Sequence, residues 1–364
     1  MRILILSNNS GGLYRFRIDL LKSLMNQGHE VIASTPFDDY VEELNETGVR
    51  LIETLIDRRG MNLLKDFKLL FIYWRMIRLK ELDLIITYTI KPNIYGSLVS
   101  KVLKKRYVIN ITGLGSIFER KGITQIVISV LYRFVCSSAH TVFFENEGNA
   151  DLFIQKRLVN RSKVCVLHGA GVDIDLFPYT EYPNEDDGFH FLFVGRIMKE
   201  KGIEELLAAM QRLHQEHPNV VLDVIGEFAE EKYRQVVEKF EKEGVLIYHG
   251  YQKEIQPFYA KAHCFVLPSY HEGMANTLLE AAAMGRPIIT SKIHGCIEAV
   301  EGNNGLFIVP QNTDSVYKAM IQMLEMNSNE RIEMGKRGHS LMVENFSKNS
   351  VVEETIHTFY SNRR

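Results

Sequence analysis

The segment Pro268-Ser269-Tyr270-His271-Glu272-Gly273-Met274-Ala275-Asn276-Thr277-Leu278-Leu279-Glu280-Ala281-Ala282-Ala283-Met284-Gly285-Arg286-Pro287 sets two carboxylates, Glu272 and Glu280, around a run of small residues. An apolar strand pattern leads into a turn, the turn into a helix pattern, and the helix into a Gly-x-Pro stop before the next strand. Were residues 272 to 280 helical throughout, the two carboxylates would lie about 80° apart around the axis and about 12 Å apart along it. On that geometry Glu272 could accept hydrogen bonds from a sugar and Glu280 from a ribose diol, with the free N–H groups of Ala275 to Thr277 meeting phosphates between them. The alternative is an ordinary helix capped by Asn276 or Thr277 with an exposed acid. The apolar setting of Glu280 weighs against it, since an unpaired carboxylate there is costly.

A second loop, Phe193-Val194-Gly195-Arg196-Ile197-Met198-Lys199-Glu200-Lys201-Gly202, joins a strand to a helix. Gly195 permits close backbone approach, and Arg196 with Lys201 could neutralise a diphosphate leaving group without a divalent ion. Solvation of both cations is the plainer reading. Near the start, Gly11-Gly12 follows the first strand pattern and could let backbone N–H groups approach an anion, although no GxGxxG pattern is present. Arg15 and Arg17 then form a solvated helix face or reach toward a phosphate. Asp173-Ile174-Asp175 has the form of a metal-binding DxD, but it falls in a linker. The pair His214 and His217 lacks a third ligand, so no metal is expected.

Strand and helix patterns alternate along the chain, the signature of parallel sheets wound with helices. Seven strands are expected at 3–6, 30–33, 50–53, 84–87, 107–111, 141–144 and 164–167. Six more are expected at 189–194, 220–225, 245–248, 264–267, 287–290 and 306–309. The Pro- and acid-rich stretch from Phe177 to Gly188 separates the two series. The expected fold is therefore α/β, with two doubly wound domains at 1–176 and 177–347, and a helical segment at 348–364 that could pack back on the first. Ligands of such sheets collect outside the carboxyl ends of the strands.

The 364 residues suit two cores, and 46% hydrophobic with 24% charged residues is an ordinary globular composition. Cys136, Cys165, Cys264 and Cys296 lie far apart and form no CxxC pair, which fits a reducing cytoplasm. Met1 to Ser7 reads as a buried strand, too short for a signal peptide. Ile123 to Cys136 is too short to span a membrane and carries Gln125 and Arg133. The net charge of −2 hides an asymmetry: from Arg58 to Lys121, 14 basic residues meet only Asp66, Glu81, Asp83 and Glu119. Within 61–80, Lys65, Lys68, Arg75 and Arg78 share an arc of about 140°, with Leu, Phe, Ile, Tyr and Trp74 elsewhere. Such a helix could lie on an anionic membrane surface; the alternative is an amphipathic helix covering the sheet.

Glu272-x7-Glu280, with Gly11-Gly12, Gly171-Val172-Asp173, Gly195-Arg196, Lys201-Gly202 and Pro268-Ser269, resembles the GT-B glycosyltransferases of family 4, the glycosyl transferases group 1. The resemblance covers nearly the whole chain. It implies a GT-B fold, two Rossmann-like domains facing a central cleft, and a retaining, metal-independent transferase using a sugar nucleotide, by family habit a UDP-sugar. It places Glu272, Arg196 and Lys201 at the reacting centre. Gly12, Gly195, Arg196, Lys201, Glu272, Gly273, Met274, Ala275, Asn276, Thr277 and Glu280 would hold the donor. Gly11, Arg15, Arg17, Lys91, Thr112 and Gly113 would face the acceptor. Many members carry a His after the fifth strand; Thr112 stands there in this chain, which suits positioning better than proton transfer.

Tyr88-Thr89-Ile90-Lys91-Pro92-Asn93 and Gly113-Leu114-Gly115-Ser116 resemble the subgroup that extends bacterial polyprenyl-diphosphate-linked glycans, including N-acetylgalactosaminyltransferases and capsule enzymes. That implies a lipid-linked saccharide acceptor, no nucleic acid partner, no cofactor beyond the UDP-sugar co-substrate, and a cytoplasmic protein peripheral on the inner face of the cell membrane. Competing readings are a UDP-sugar epimerase of the same fold and a non-catalytic nucleotide-sugar binding protein.

Overall fold

The computed structural model describes residues 1–57, 62–79, 81–114, 122–186 and 188–361. The chain divides into two compact units: Met1–Ala170 with the residues from Asn349 onward, and Gly171–Lys348.

In the first unit seven parallel strands, β1 (Arg2–Leu6), β2 (Glu30–Thr35), β3 (Arg50–Glu53), β4 (Leu84–Tyr88), β5 (Tyr107–Ile111), β6 (Thr141–Phe144) and β7 (Val164–Val166), lie in the order β3-β2-β1-β4-β5-β6-β7. β1, β4, β5 and β6 are buried apolar runs, as a sheet covered on both faces requires. One layer consists of α1 (Ser10–Asn26), α2 (Val41–Glu46) and the last helix, packed through Leu13, Leu21, Leu24, Leu44, Ile356 and Phe359. The opposite layer consists of α3 (Leu63–Leu79), α4 (Ser97–Val102), α5 (Ile123–Cys136) and α6 (Glu147–Gln155), packed through Tyr73, Ile77, Val99, Tyr132, Val135 and Phe153. A π-helical turn, Pro92–Gly96, precedes α4.

The second unit has six parallel strands, β8 (Phe189–Val194), β9 (Val220–Ile225), β10 (Leu246–Gly250), β11 (Cys264–Leu267), β12 (Ile288–Ser291) and β13 (Gly305–Ile308), in the order β10-β9-β8-β11-β12-β13. Its helices are α7 (Ile203–Glu216), α8 (Arg234–Lys242), α9 (Gln256–Lys261), α10 (Asn276–Ala283), α11 (Thr313–Glu325) and α12 (Ser328–Asn345). α13 (Lys348–Tyr360) closes the chain: Phe359 meets Phe143 edge-on at 5.9 Å, and its carbonyl accepts from Arg106.

All thirteen expected strands are present, six with the expected ends and the others with ends shifted by one or two residues. The stretch after Phe177 is less free than its composition suggests. Phe177 is buried in the second core, and the fully buried Arg286 donates to the carbonyls of Thr180 and Glu181. All four cysteines are buried and none forms a disulfide, and burial raises the thiols of Cys136 (to about 12), Cys264 and Cys296.

Candidate active site

Each sheet has one point where the strand order reverses. In the second unit it lies between β8 and β11, since β8 leads to β9 on one side and borders β11 on the other. Helix-starting loops diverge there and leave a crevice.

The loop after β8 carries Gly195 and Arg196, then a 3-10 turn at Lys199–Lys201, and ends at Gly202 (φ 70°), which opens α7. The loop after β11 runs from Pro268 to Ala275 and opens α10. The two are tied by their backbones: Tyr270 N–H donates to the Glu200 carbonyl at 2.9 Å. They are also tied by side chains, for Lys201 Nζ forms an ion pair with Glu272 Oε1, and Ser269 Oγ donates to the same oxygen at 2.7 Å. Lys201 and Glu272 are mostly buried, with side chains 20% and 11% exposed. Arg196 is exposed and has no ion-pair partner among the described residues.

α1, α6, α11 and α12 are each capped by an asparagine side chain, whereas α7 and α10 begin without a side-chain cap. The helix ends at the crevice therefore keep N–H groups for an anion. The structure corrects one expectation here. Residues 272 to 275 are not helical, so Glu272 stands in a loop and the estimated helical spacing to Glu280 does not apply. The Ala275 N–H is also not free, because it donates to the Gly295 carbonyl at 2.9 Å; Asn276 and Thr277 open the helix. Gly295 (φ 87°) makes this possible, since a Cβ there would lie 2.6 Å from the Gly273 oxygen. Met274 and Ala275 are buried, and Asn276 Oδ1 is a buried acceptor without a hydrogen-bond partner.

Glu280 lies inside α10, where Tyr259 of α9 donates to its Oε2 at 2.9 Å and to the Thr277 carbonyl at 3.2 Å. Burial and the neighbouring carboxylate hold the Tyr259 phenol far above its usual range, so it remains a donor. Sequence reasoning missed Tyr259, because nothing in Gln256–Lys261 marks it as a partner of a residue 21 positions away. Ser269 was visible only as part of Pro268-Ser269.

In the first unit the reversal lies between β1 and β4. Gly11 and Gly12 begin α1, but the Gly12 N–H is donated to Asn9 Oδ1 at 2.7 Å. Arg15 donates to the Tyr40 hydroxyl at 3.0 Å. Arg17 pairs with Glu145 at the carboxyl end of β6 and lies over the Tyr88 ring. Burial raises the Glu145 carboxyl above its usual range, and Arg17 works against that shift. Arg17, Glu145, Asn110 and Thr112 line one small cavity. Glu145 gave no sequence signal, its partner being 128 residues away. Gly113 (φ 148°) follows Thr112, and Lys91 is engaged with Asp66 of α3 at 2.7 Å. Gly115 and Ser116 lie outside the described residues, as do Arg58, Met61, Lys80 and Lys121.

Asp173 Oδ1 accepts from the N–H groups of Asp175 and Leu176, a turn cap. Among the described residues no group of three or more His, Cys, Asp or Glu side chains could hold a metal ion, and no helix is long and apolar enough to cross a membrane.

Comparison with known proteins places these units in a family. The family model described as Glycosyl transferase 4-like domain matches residues 11–170, and the one described as Glycosyl transferases group 1 matches residues 188–326. The chain is 29% identical over 342 residues to N,N'-diacetylbacillosaminyl-diphospho-undecaprenol alpha-1,3-N-acetylgalactosaminyltransferase of Campylobacter jejuni, covering 89% of this chain and 90% of that protein. It is 25% identical over 313 residues to UDP-Gal:alpha-D-GlcNAc-diphosphoundecaprenol alpha-1,3-galactosyltransferase of Escherichia coli, covering 80% and 78%. The crystal structure of Anabaena HepE in complex with UDP and glucose shares the fold, with a TM-score of 0.82 at 18% identity over 99% of this chain and 100% of that one. With one family model on each of its two units and a two-sheet α/β architecture matching GT-B glycosyltransferase structures, the chain belongs to the group 1 glycosyl transferases and is a glycosyltransferase.

Proposed function

We propose that the chain moves a hexosyl or N-acetylhexosaminyl group from a UDP-sugar to a polyprenyl-diphosphate-linked saccharide, with retention at the anomeric carbon and no metal ion, in surface polysaccharide or glycoprotein glycan assembly. The observation that carries this reading is Glu272 held by Lys201 and Ser269 beside two uncapped helix starts at the β8/β11 reversal. The relatives from Campylobacter jejuni and Escherichia coli support the acceptor class, since their names specify undecaprenyl-diphosphate-linked acceptors, and the second also specifies UDP-Gal.

Lys201 and Arg196 offset the charge that grows on the leaving diphosphate, together with the first N–H groups of α10. Glu272 has Oε1 bound by Lys201 and Ser269, which leaves Oε2 to accept from a sugar hydroxyl and orient the ring. Glu280, steadied by Tyr259, accepts from the ribose. The bond between the anomeric carbon and the phosphate oxygen breaks, and UDP departs with the electron pair. The acceptor oxygen bonds to that carbon from the same face, and its proton passes to the departing phosphate oxygen. No protein nucleophile is needed, and Thr112 positions rather than transfers a proton. The acceptor's lipid sets the reaction at a membrane surface, where the cations of α3 meet anionic headgroups.

Incubating the purified chain with a panel of UDP-sugars and synthetic polyprenyl-diphosphate sugars, then reading product mass and anomeric configuration, tests this reading. Lys201→Ala and Glu272→Ala should each cut kcat/KM by about 100-fold or more while the fold stays intact. Near-normal transfer by both variants would remove the site assignment. Turnover of donor without any acceptor would favour an epimerase instead.

A further inference from the structure

Gly295, which imposes the non-helical path from Glu272 to Ala275, must itself be held in place. It sits in the turn after β12, and that turn closes on its own backbone: the Ile293 carbonyl accepts from the N–H groups of Cys296 at 3.1 Å and Ile297 at 3.0 Å. The Gly295 N–H finds its acceptor in a side chain instead. Glu298, on the 3-10 turn Ile297–Val300, accepts it at Oε2, 2.7 Å away. The other oxygen, Oε1, lies 3.3 Å from His294 Nδ1, but that ring is 55% exposed whereas the Glu298 side chain is 13% exposed. The bond to Gly295 is thus the shielded one and the stronger of the two.

Gly295 in turn leans on the loop of Glu272. Its carbonyl accepts from the Ala275 N–H at 2.9 Å. Its Cα comes so close that a Cβ would lie 2.6 Å from the Gly273 oxygen and 2.9 Å from both the Glu272 Cβ and the Glu272 oxygen. This approach needs the left-handed φ of 87°, which glycine adopts at little cost. With the Ala275 amide consumed, α10 starts at Asn276, and Glu272 stays in the loop with its Oε1 on Lys201 and Ser269. A continuous chain of contacts therefore runs from the Glu298 carboxylate through the Gly295 backbone to Glu272.

We infer that Glu298 is a positioning residue for transfer. By holding the Gly295 amide it fixes the turn that presses on Glu272, and so sets where Glu272 Oε2 points toward the donor sugar. This deepens the sugar-nucleotide reading of the site and rests on it. Lys201 and Arg196 belong to the loop after β8, so the diphosphate contacts proposed for them do not pass through Glu298. Loss of Glu298 misplaces the sugar and leaves the nucleotide held.

Amide exchange and transfer kinetics on the full chain test it. Glu298→Ala should speed exchange of the Ala275 amide at least about tenfold. With the UDP-sugar and lipid-linked acceptor that the panel identifies, it should lower kcat about tenfold, while UDP affinity in calorimetry stays within about twofold. Glu298→Gln keeps the acceptor oxygen and should match the wild type. Glu298→Asp keeps the charge but withdraws it from the Gly295 N–H, and should resemble Glu298→Ala; if Glu298→Ala does not fold, these two variants carry the same test. Adding Glu298→Ala to Glu272→Ala should cost nothing further, because the first residue acts through the second. A role in turn stability alone would lower the melting temperature of Glu298→Ala and leave kcat of the folded protein unchanged, which would overturn the inference. So would unaltered exchange at Ala275, or losses at Glu298 and Glu272 that multiply. Faster Ala275 exchange in Glu298→Ala, with no transfer by the wild type from any UDP-sugar, would keep the hold on the loop and remove the proposed function.

Discussion

The two strand-order reversals are built by different means. In the second unit close backbone approaches lock the loops, with the Lys201–Glu272 pair added to them. A Cβ on Gly202 would lie 2.1 Å from the Pro268 oxygen, one on Gly226 1.9 Å from the Gly195 oxygen, and one on Gly295 2.6 Å from the Gly273 oxygen. In the first unit the loops are held by side chains: Asp38 accepts from Ser10, Arg17 pairs with Glu145, Lys91 with Asp66, and Asn93 bonds Thr87 and the Asn110 carbonyl. On the proposed function, a backbone-built crevice that keeps its N–H groups in place through changes of side chain would suit the diphosphate of a donor, and a side-chain-built one, altered residue by residue, would suit acceptors that differ from enzyme to enzyme.

The largest effect that would break this comparison is in the first unit. Arg17→Ala leaves Glu145 buried without its cation and should cost about 3–5 kcal/mol of stability, read by chemical denaturation. The pH dependence has a definite sign. Because Glu145 titrates above its unfolded value, its contribution is fully present below the ordinary carboxylate range and is lost as pH rises through the folded value. That loss should be larger in Arg17→Ala, and Glu145→Gln should abolish it. If Arg17→Ala denatures like the wild type at every pH, side-chain wiring is not what holds these loops. In the second unit Gly226→Ala, at φ 142°, should cost about 2–3 kcal/mol and weaken UDP binding in calorimetry, whereas Gly11→Ala, whose Cβ would lie 3.2 Å from Asp39 Cβ, should cost less than about 1 kcal/mol. Equal losses at the two glycines would erase the distinction. An effect on binding alone is expected at Tyr259→Phe, where losing one hydrogen bond to Glu280 should weaken UDP-sugar affinity by about fivefold, or about 1 kcal/mol; unchanged affinity would leave Glu280 steadied by α10 alone.

The sheets were legible because a strand buried on both faces must be apolar over a short run, as in Ile3–Leu6 and Cys264–Leu267, and that constraint is local. Lys201 and the Pro268–Glu280 segment could be singled out for the same reason, since charge type and loop position are read within a few residues. What was not legible depends on distant partners. The non-helical path from Glu272 to Ala275 is imposed by Gly295, which lies on the loop after β12. The pairing of Arg17 with Glu145 needs β6 to lie beside β5, and the role of Tyr259 needs α9 to pack on α10. On α3, Leu64, Phe67, Phe71 and Leu79 stand exposed beside Lys65, Lys68, Arg75 and Arg78 and not on a separate side, because helical periodicity does not say which side the sheet will cover.

The four buried thiols have a practical consequence. A maleimide requires an accessible thiolate; all four thiols are buried in the folded chain, and burial also holds those of Cys136, Cys264 and Cys296 in the neutral form. The native protein is therefore a silent background for thiol labelling. A single cysteine substituted for the exposed Lys68 would carry a fluorophore or spin label alone, and would report directly whether that face of α3 meets water or lipid.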